Sequence, residues 1–262
     1  MHSQHLTVGT YNIRYDSPGD SGNLWVDRGP VVANLIRFYD FDILGTQEGL
    51  KNQLDDIENS LEYYARYGSG RDDGKDKGEH SAIFYKKEKF TLLDSGDFWL
   101  SETPDKPSLG WDATCCNRIC SWVYLEIKSS HKKFYFFNAH FDHQGVIARK
   151  ESSKLVIRKI NEIAGGAPVI FAGDLNGSRE TEWYHTIASS QTLTDTYSST
   201  NHPYANNGSF NGFGRNLGTK DIIDHIFSTQ HFETHRWGVL TDTYDGKFPS
   251  DHFPILAEVS LK

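Results

Sequence analysis

Several apolar runs in this 262-residue chain break off into carboxylates, carboxamides or imidazoles. Val169-Ile170-Phe171-Ala172 leads into Gly173-Asp174-Leu175-Asn176, Phe134 to Phe137 into Asn138-Ala139-His140, and Ile222-Ile223 into Asp224-His225. Glu48 follows Thr46-Gln47, Asp251 stands in Ser250-Asp251-His252, and Asn12 ends another run. A polar group at the rim of a core is costly unless partnered. A repeated set from distant parts of the chain therefore points to one site at one end of a sheet. Glu48, Asp174, Asp224 and Asp251 are hard oxygen donors that suit Mg²⁺ or Mn²⁺, with water completing the shell. His140 and His252 adjoin acids, and a carboxylate that fixes a histidine's tautomer and raises its pKa equips it for proton transfer. Any one of these residues alone reads as a turn or a helix cap. The four acids together, with Asn12 and Asn176 in equivalent strand-end positions, read as a metal site.

The elements that must position them follow from periodicity. Leu6 to Ile13 alternates as a strand, and Gly29-Pro30 opens an amphipathic stretch with Pro suited to a first helical turn. A short strand at Asp42-Ile43-Leu44 stops at Gln47-Glu48, and Leu50, Leu54, Ile57 and Leu61 then line one helix face. Ser81 to Tyr85, Phe90 to Leu93 and Ser121 to Ile127 read as strands of an antiparallel meander. Val146 to Ile163 is the longest helical pattern, stopped by Gly165-Gly166; a shorter helix covers Thr181 to Ala188, and Ile255 to Leu261 is the last strand. Strands in two batches with helices between them predict two sheets packed face to face and flanked by helices. The stretches Gly68 to Gly78 and Tyr204 to Gly218 read as surface loops, and 1–262 as a single domain without repeats.

A net charge of −8 disfavours a protein that coats nucleic acid, which needs a broad surplus of Lys and Arg. Lys86-Lys87 and Lys132-Lys133 read as solvated strand ends. No apolar run approaches the roughly 20 residues of a membrane span. Met1 to His5 lacks the apolar segment of a signal peptide, so a cytoplasmic protein and an exported one with its signal removed are both open. The 3 cysteines, Cys115, Cys116 and Cys120, lack metal-finger spacing and read as structural thiols.

Asn138-Ala139-His140-Phe141-Asp142-His143 is similar to the zinc motif of metallo-β-lactamase-like hydrolases, but Asn138 stands where the first His belongs. Gly173-Asp174 is similar to a calcineurin-like phosphatase motif whose Gly-Asn-His-Glu partner is absent. Read in order, Thr10-Tyr11-Asn12, Thr46-Gln47-Glu48, Asn138-Ala139-His140, Gly173-Asp174-Leu175-Asn176, Ile223-Asp224-His225 and Ser250-Asp251-His252 resemble the endonuclease/exonuclease/phosphatase superfamily. Gly70-Arg71-Asp72-Asp73-Gly74, Gly78-Glu79, Phe98 to Pro104, Gly110-Trp111-Asp112 and Arg118 with Trp122 resemble its bacterial metal-dependent hydrolase branch.

The resemblance implies an α+β fold, a four-layer αββα sandwich of two mainly antiparallel sheets, and a Mg²⁺-dependent phosphoesterase, Mn²⁺ being an alternative. It implies Glu48 as principal metal ligand, helped by Asn12 and Asp251. Asp174 would orient or deprotonate the attacking water, Asn176 would hold it, and His252, oriented by Asp224, would stabilise or protonate at phosphorus. His140 takes the place of a catalytic His or Tyr, with Glu79 as partner, while His143 and Arg118 would meet substrate. His225 and Ile222 depart from the family's usual Tyr and basic residue, which bears on substrate contacts. A small-molecule, sugar- or lipid-derived phosphate ester and a monomeric protein are expected. A nuclease acting on single-stranded or duplex nucleic acid, and a catalytically silent binding module, are the alternatives. Trp25, Trp111, Phe210 and Phe213 are candidates to line a pocket.

Overall fold

The computed structural model describes residues 5–262; Met1 to Gln4, on which part of the signal-peptide reading fell, lie outside them. The chain runs β1 (His5–Asn12), α1 (Trp25–Tyr39), β2 (Ile43–Gln47), α2 (Lys51–Ser60), β3 (Tyr64–Tyr67), β4 (Ile83–Lys86), β5 (Phe90–Trp99) and β6 (Ile119–Ile127). It continues as β7 (Lys133–His140), α3 (Val146–Ala164), β8 (Val169–Asp174), α4 (Glu182–Ala188), β9 (Thr194–Asp195), β10 (Asp224–Ser228), β11 (Phe232–Val239) and β12 (Ile255–Leu261).

Two six-stranded sheets result, in the orders β11-β12-β1-β2-β4-β3 and β5-β6-β7-β8-β10-β9. Each has one parallel pair, β1 with β2 and β7 with β8, and is otherwise antiparallel. The parallel pairs need crossovers, which α1 and α3 supply. Strands covered on both faces read as continuous apolar runs; Val169-Ile170-Phe171-Ala172 in β8 is buried throughout. One apolar cluster (Val8, Ile43, Phe136, Ile170, Ile255) fills the space between the sheets. A second seats α3 and α4 on the β7–β8 sheet through Leu155, Val156, Ile160, Ile187 and Phe171. A third seats α1 and α2 on the other sheet through Val32, Ile36, Leu54, Ile57 and Phe84. These three layers of apolar contact between four of secondary structure make the expected αββα sandwich.

Local details depart from the sequence reading. α1 begins at Trp25, not at Pro30, which lies inside the helix. The Trp25 indole donates to Asp56 of α2 at 2.8 Å, and Arg28 is buried beneath the loop after β1, so tertiary contacts extend the helix toward its N-terminus. β5 runs on to Trp99 because β6 offers a matching partner along its length. Lys86 is buried, not a solvated strand end, paired with Asp42 at 3.2 Å. Asp224 opens β10 instead of ending a strand. No helix among the described residues is long and apolar enough to cross a membrane.

Candidate active site

Direction of travel explains why the polar residues meet. β1, β2, β7 and β8 end at one rim, while β10 and β12 run antiparallel to β8 and β1 and so start there. In the register Asp174 pairs with His140 on one side and with Asp224 on the other. Gly173 permits this closeness, since a Cβ there would come within 2.1 Å of the Ala139 carbonyl oxygen. Beneath the rim Asn138 ties the sheets together. It accepts from Gln47 Nε2 at 2.7 Å and donates to the Thr46 and Ala82 carbonyls, both at 2.9 Å.

Three residues at the rim, Arg14, Glu48 and Asn176, hold positive φ (56°, 64° and 45°) without being glycine. Such backbone persists only where its surroundings over-determine it. Here Arg28 donates to the Ile13 carbonyl at 2.5 Å and to Arg14 O at 2.6 Å, while Gln53 Nε2 reaches Arg14 O at 2.9 Å. Asp174 Oδ1 accepts from the Asn176 N–H at 2.8 Å.

The cavity at this rim is about 470 Å³. Its acidic end holds Glu48, Asp251 and Asp174. Asn12 Nδ2 bridges Glu48 and Asp174 at 3.0 Å each, and its Oδ1 accepts the Arg14 N–H at 3.0 Å. The Arg14 guanidinium reaches both Glu48 (3.8 Å) and Asp251 (3.9 Å). Burial, helped by the charge of Glu48, raises the Asp251 carboxyl above its usual range. Two acids sharing one cation in a buried setting are what a hard divalent ion would neutralise, so Glu48 and Asp251 fit Mg²⁺ or Mn²⁺, with Asn12 beside them.

Asp174, Asp224 and His252 also place ligand atoms within 4.8 Å of one another. His252 Nδ1 is engaged by Asp224 Oδ2 at 2.9 Å, and although burial lowers its pKa, Asp224 and Asp174 outweigh this and bring it up to about 10. Its Nε2 lies 3.8 Å from Asp174, whose carboxyl is raised by burial and by Asp224.

The opposite end is cationic. Arg118 donates to His140 Nδ1 at 3.1 Å and to His143 Nδ1 at 2.7 Å, and its Nε lies 3.5 Å from Asp142. Burial first, then Arg118, holds both histidines below their usual pKa. With Nδ1 accepting, the proton of neutral His140 sits on Nε2, 3.5 Å from Asp174 Oδ2 and 3.2 Å from Asn176 Nδ2. Asn176 Nδ2 is itself a donor and gives its hydrogen bond to the Phe141 carbonyl at 3.0 Å, not to the protonated His140 Nε2. Glu79, raised by burial, pairs with Arg71 at 2.5 Å and lies 3.8 Å from His140 Nδ1.

Residues 9–252 match the Endonuclease/Exonuclease/phosphatase family. The chain belongs to that family. A family protein from Bacteroides thetaiotaomicron is 46% identical, with each chain covered completely and a TM-score of 0.96. A mannosyl-6-phosphatase from the same organism is 47% identical over 98% of this chain and 100% of that one, with a TM-score of 0.95. An uncharacterized protein of Acanthamoeba polyphaga mimivirus is 28% identical over 88% of this chain and 91% of its own length. Family members hydrolyse phosphate esters.

Within this family site, Glu48, Glu79, Arg118, His140, His143, Asp174, Asn176, Asp251 and His252 all line the one cavity. Asn12 and Asp224 stand directly behind it, as their hydrogen bonds show. Of the four aromatic candidates, Phe210 alone lines the cavity, edge-on to His252 at 5.1 Å. Trp25 packs on α2, Trp111 sits against α3's apolar cluster, and Phe213 lies over Arg28. The sequence reading left out Arg14 and named Arg71 only within the Gly70 to Gly74 motif, without a role in the site. It also took Cys115 and Cys116 for thiols, whereas they form a disulfide with Cys116 on the cavity wall; Cys120 remains a buried free thiol.

Proposed function

We propose that this protein is a divalent-cation-dependent phosphatase that removes a terminal phosphate from a small, sugar-derived phosphate monoester. The observation that carries the reading is the division of one half-open cavity into an acidic end and a guanidinium–imidazole end. A phosphoryl group needs both, a cation beside the attacked phosphorus and donors for its anionic oxygens. The mannosyl-6-phosphatase relative supports the sugar class. The −8 net charge argues against a polymer of phosphates.

Glu48 and Asp251 would hold Mg²⁺, or Mn²⁺ in its place, with Asn12 fixing Glu48. A cation there would supply charge neutralisation at the phosphoryl oxygens. Asp174 would orient the attacking water and take its proton, Asn176 would hold that water, and the departing sugar oxygen would take a proton from solvent at the cavity mouth. His252, charged and steered by Asp224, donates a hydrogen bond to a phosphoryl oxygen as negative charge grows there. His140 stays neutral and donates from Nε2 toward the same region, Glu79 flanking it. Arg118 and His143 receive the remaining oxygens. Phe210 supplies a flat wall for a sugar ring. The Cys115–Cys116 disulfide suits an oxidising compartment and so an exported protein.

Phosphate release from mannose 6-phosphate tests the reading. We expect turnover that EDTA abolishes and Mg²⁺ or Mn²⁺ restores. Turnover that survives chelation contradicts the cation requirement, and silence on every phosphate ester with both cations favours a binding module.

A further inference from the structure

Arg14 and Arg71 are the charged residues of the cavity without a part in the catalytic arrangement, and Arg14 is engaged by Asp20, Glu48 and Asp251. Arg71 lies in the loop between β3 and β4, where its backbone is pinned on several sides. The Arg71 N–H donates to the Glu79 carbonyl at 3.0 Å, and its own carbonyl accepts from the Trp99 indole at 2.7 Å and from Asn117 Nδ2 at 3.3 Å. Glu79 Oε2 binds Nη1 at 2.5 Å. Nε is buried with no partner, and Nη2 makes no hydrogen bond among the described residues although the side chain lines the cavity. The guanidinium is therefore held in place with Nη2 left for a ligand.

Arg118 lines the same wall. It donates from Nη1 to His140 and from Nη2 to His143, and each of these guanidinium nitrogens carries a second N–H. Two guanidiniums facing one small space repel each other, which helps hold the Arg71 pKa below its ordinary value after burial. Such a pair is relieved by an anion of matching charge. Glu79 pairs with Arg71 and Asp142 lies 3.5 Å from Arg118, so what this end keeps for an entering anion is the unengaged Nη2 of Arg71.

We infer that Arg71, together with Arg118, forms a guanidinium clamp for the non-bridging oxygens of a terminal phosphate, so that the site selects the dianion of a phosphate monoester over the monoanion of a diester. With Nη1 on Glu79 and Nε buried, Nη2 is the charge-assisted donor that Arg71 offers to a phosphate oxygen. A diester carries one negative charge fewer and would turn an ester group into the clamp. The monoester preference rests on the phosphatase reading above, whereas the anion site itself does not.

The test compares wild type, Arg71→Gln and Arg71→Lys on p-nitrophenyl phosphate and bis-p-nitrophenyl phosphate, with thermal melts to establish that each variant is folded. Loss of a charge-assisted hydrogen bond predicts a fall of about 10- to 100-fold in kcat/KM on the monoester for Arg71→Gln, mostly in KM. The diester should change by less than about threefold, and Arg71→Lys should recover part of the monoester rate, since its point charge lacks the fork. An equal loss on both esters overturns the clamp, because a merely structural role would lower both together. Calorimetric titration with inorganic phosphate in Mg²⁺ separates this from the functional reading. A phosphate Kd raised about tenfold or more in Arg71→Gln supports the anion site even if wild type cleaves no monoester. An unchanged Kd overturns it even if wild type proves an active phosphatase.

Discussion

Residues 5–127 and 133–261 share one order of elements and one pattern of strand pairing. Each runs strand, helix, strand, helix and four more strands, builds one sheet from its first four strands, and sends its closing hairpin to the edge of the other sheet. The rim positions correspond. Asn12 ends β1 as His140 ends β7, and Glu48 follows β2 where Asp174 closes β8. Arg118 stands before β6, as Asp251 and His252 stand before β12. No repeat shows in the letters because the paired positions carry different side chains, and one pair has opposite charge. The framework decides where a side chain arrives, and the side chain decides the chemistry. Two similar halves thus give a cavity with an acidic end and a cationic one.

The comparison breaks most visibly where the halves meet. Asp174→Ala or His252→Ala should lower kcat on a phosphate monoester by about 10²–10³-fold or more while leaving the fold intact, because each is a positioned electrostatic contributor. A folded Asp174→Ala variant with undiminished turnover removes the catalytic assignment. Glu48→Gln belongs to the acidic end alone. It should raise the Mg²⁺ concentration for half-maximal activity by about 10- to 100-fold with a smaller change in phosphate binding. An unchanged Mg²⁺ requirement would shift the cation site elsewhere.

Smaller effects sharpen the contrast. Asp142 supports the cationic end from below. Burial tends to raise its pKa, but the N–H groups of Gln144 and Gly145 and the charge of Arg118 outweigh that and hold it below the ordinary value. Its stabilisation is thus present above the unfolded carboxylate value of about 3.9 and is lost as pH falls through the lower folded value. Asp142→Asn should destabilise the fold by about 1–3 kcal/mol at neutral pH, and the deficit in chemical denaturation should shrink below pH 4. A deficit independent of pH would mean that the carboxylate charge is not what matters. Phe210→Ala should raise KM for a sugar phosphate by about 2- to 10-fold with little change in kcat. An equal fall in kcat would assign Phe210 to positioning His252.

Much of this site was legible in the sequence because a carboxylate, amide or imidazole directly after an apolar strand has few reasons to be there. Asp174, Asn176, His140 and Glu48 were visible that way. Asp224 was found although its strand was misplaced; it starts β10, and an antiparallel strand's start lies at the same rim as its neighbours' ends. Arg71 carried no such signal. It stands among glycines and aspartates in a loop, and its bond to Glu79 is a tertiary fact. The early start of α1 was hidden because contacts of Trp25 and Arg28 override the local preference for beginning at Pro30. The bond between Cys115 and Cys116 was missed because cysteine spacing was read for metal fingers and not for adjacent pairing.

The division of the cavity is tested most directly by a crystal structure with Mn²⁺ and phosphate bound. The account predicts an anomalous Mn²⁺ peak between Glu48 and Asp251, with phosphate bridging from it to Arg71 and Arg118. A Mn²⁺ peak within the Asp174, Asp224 and His252 trio, or phosphate that leaves both arginines untouched, would contradict it.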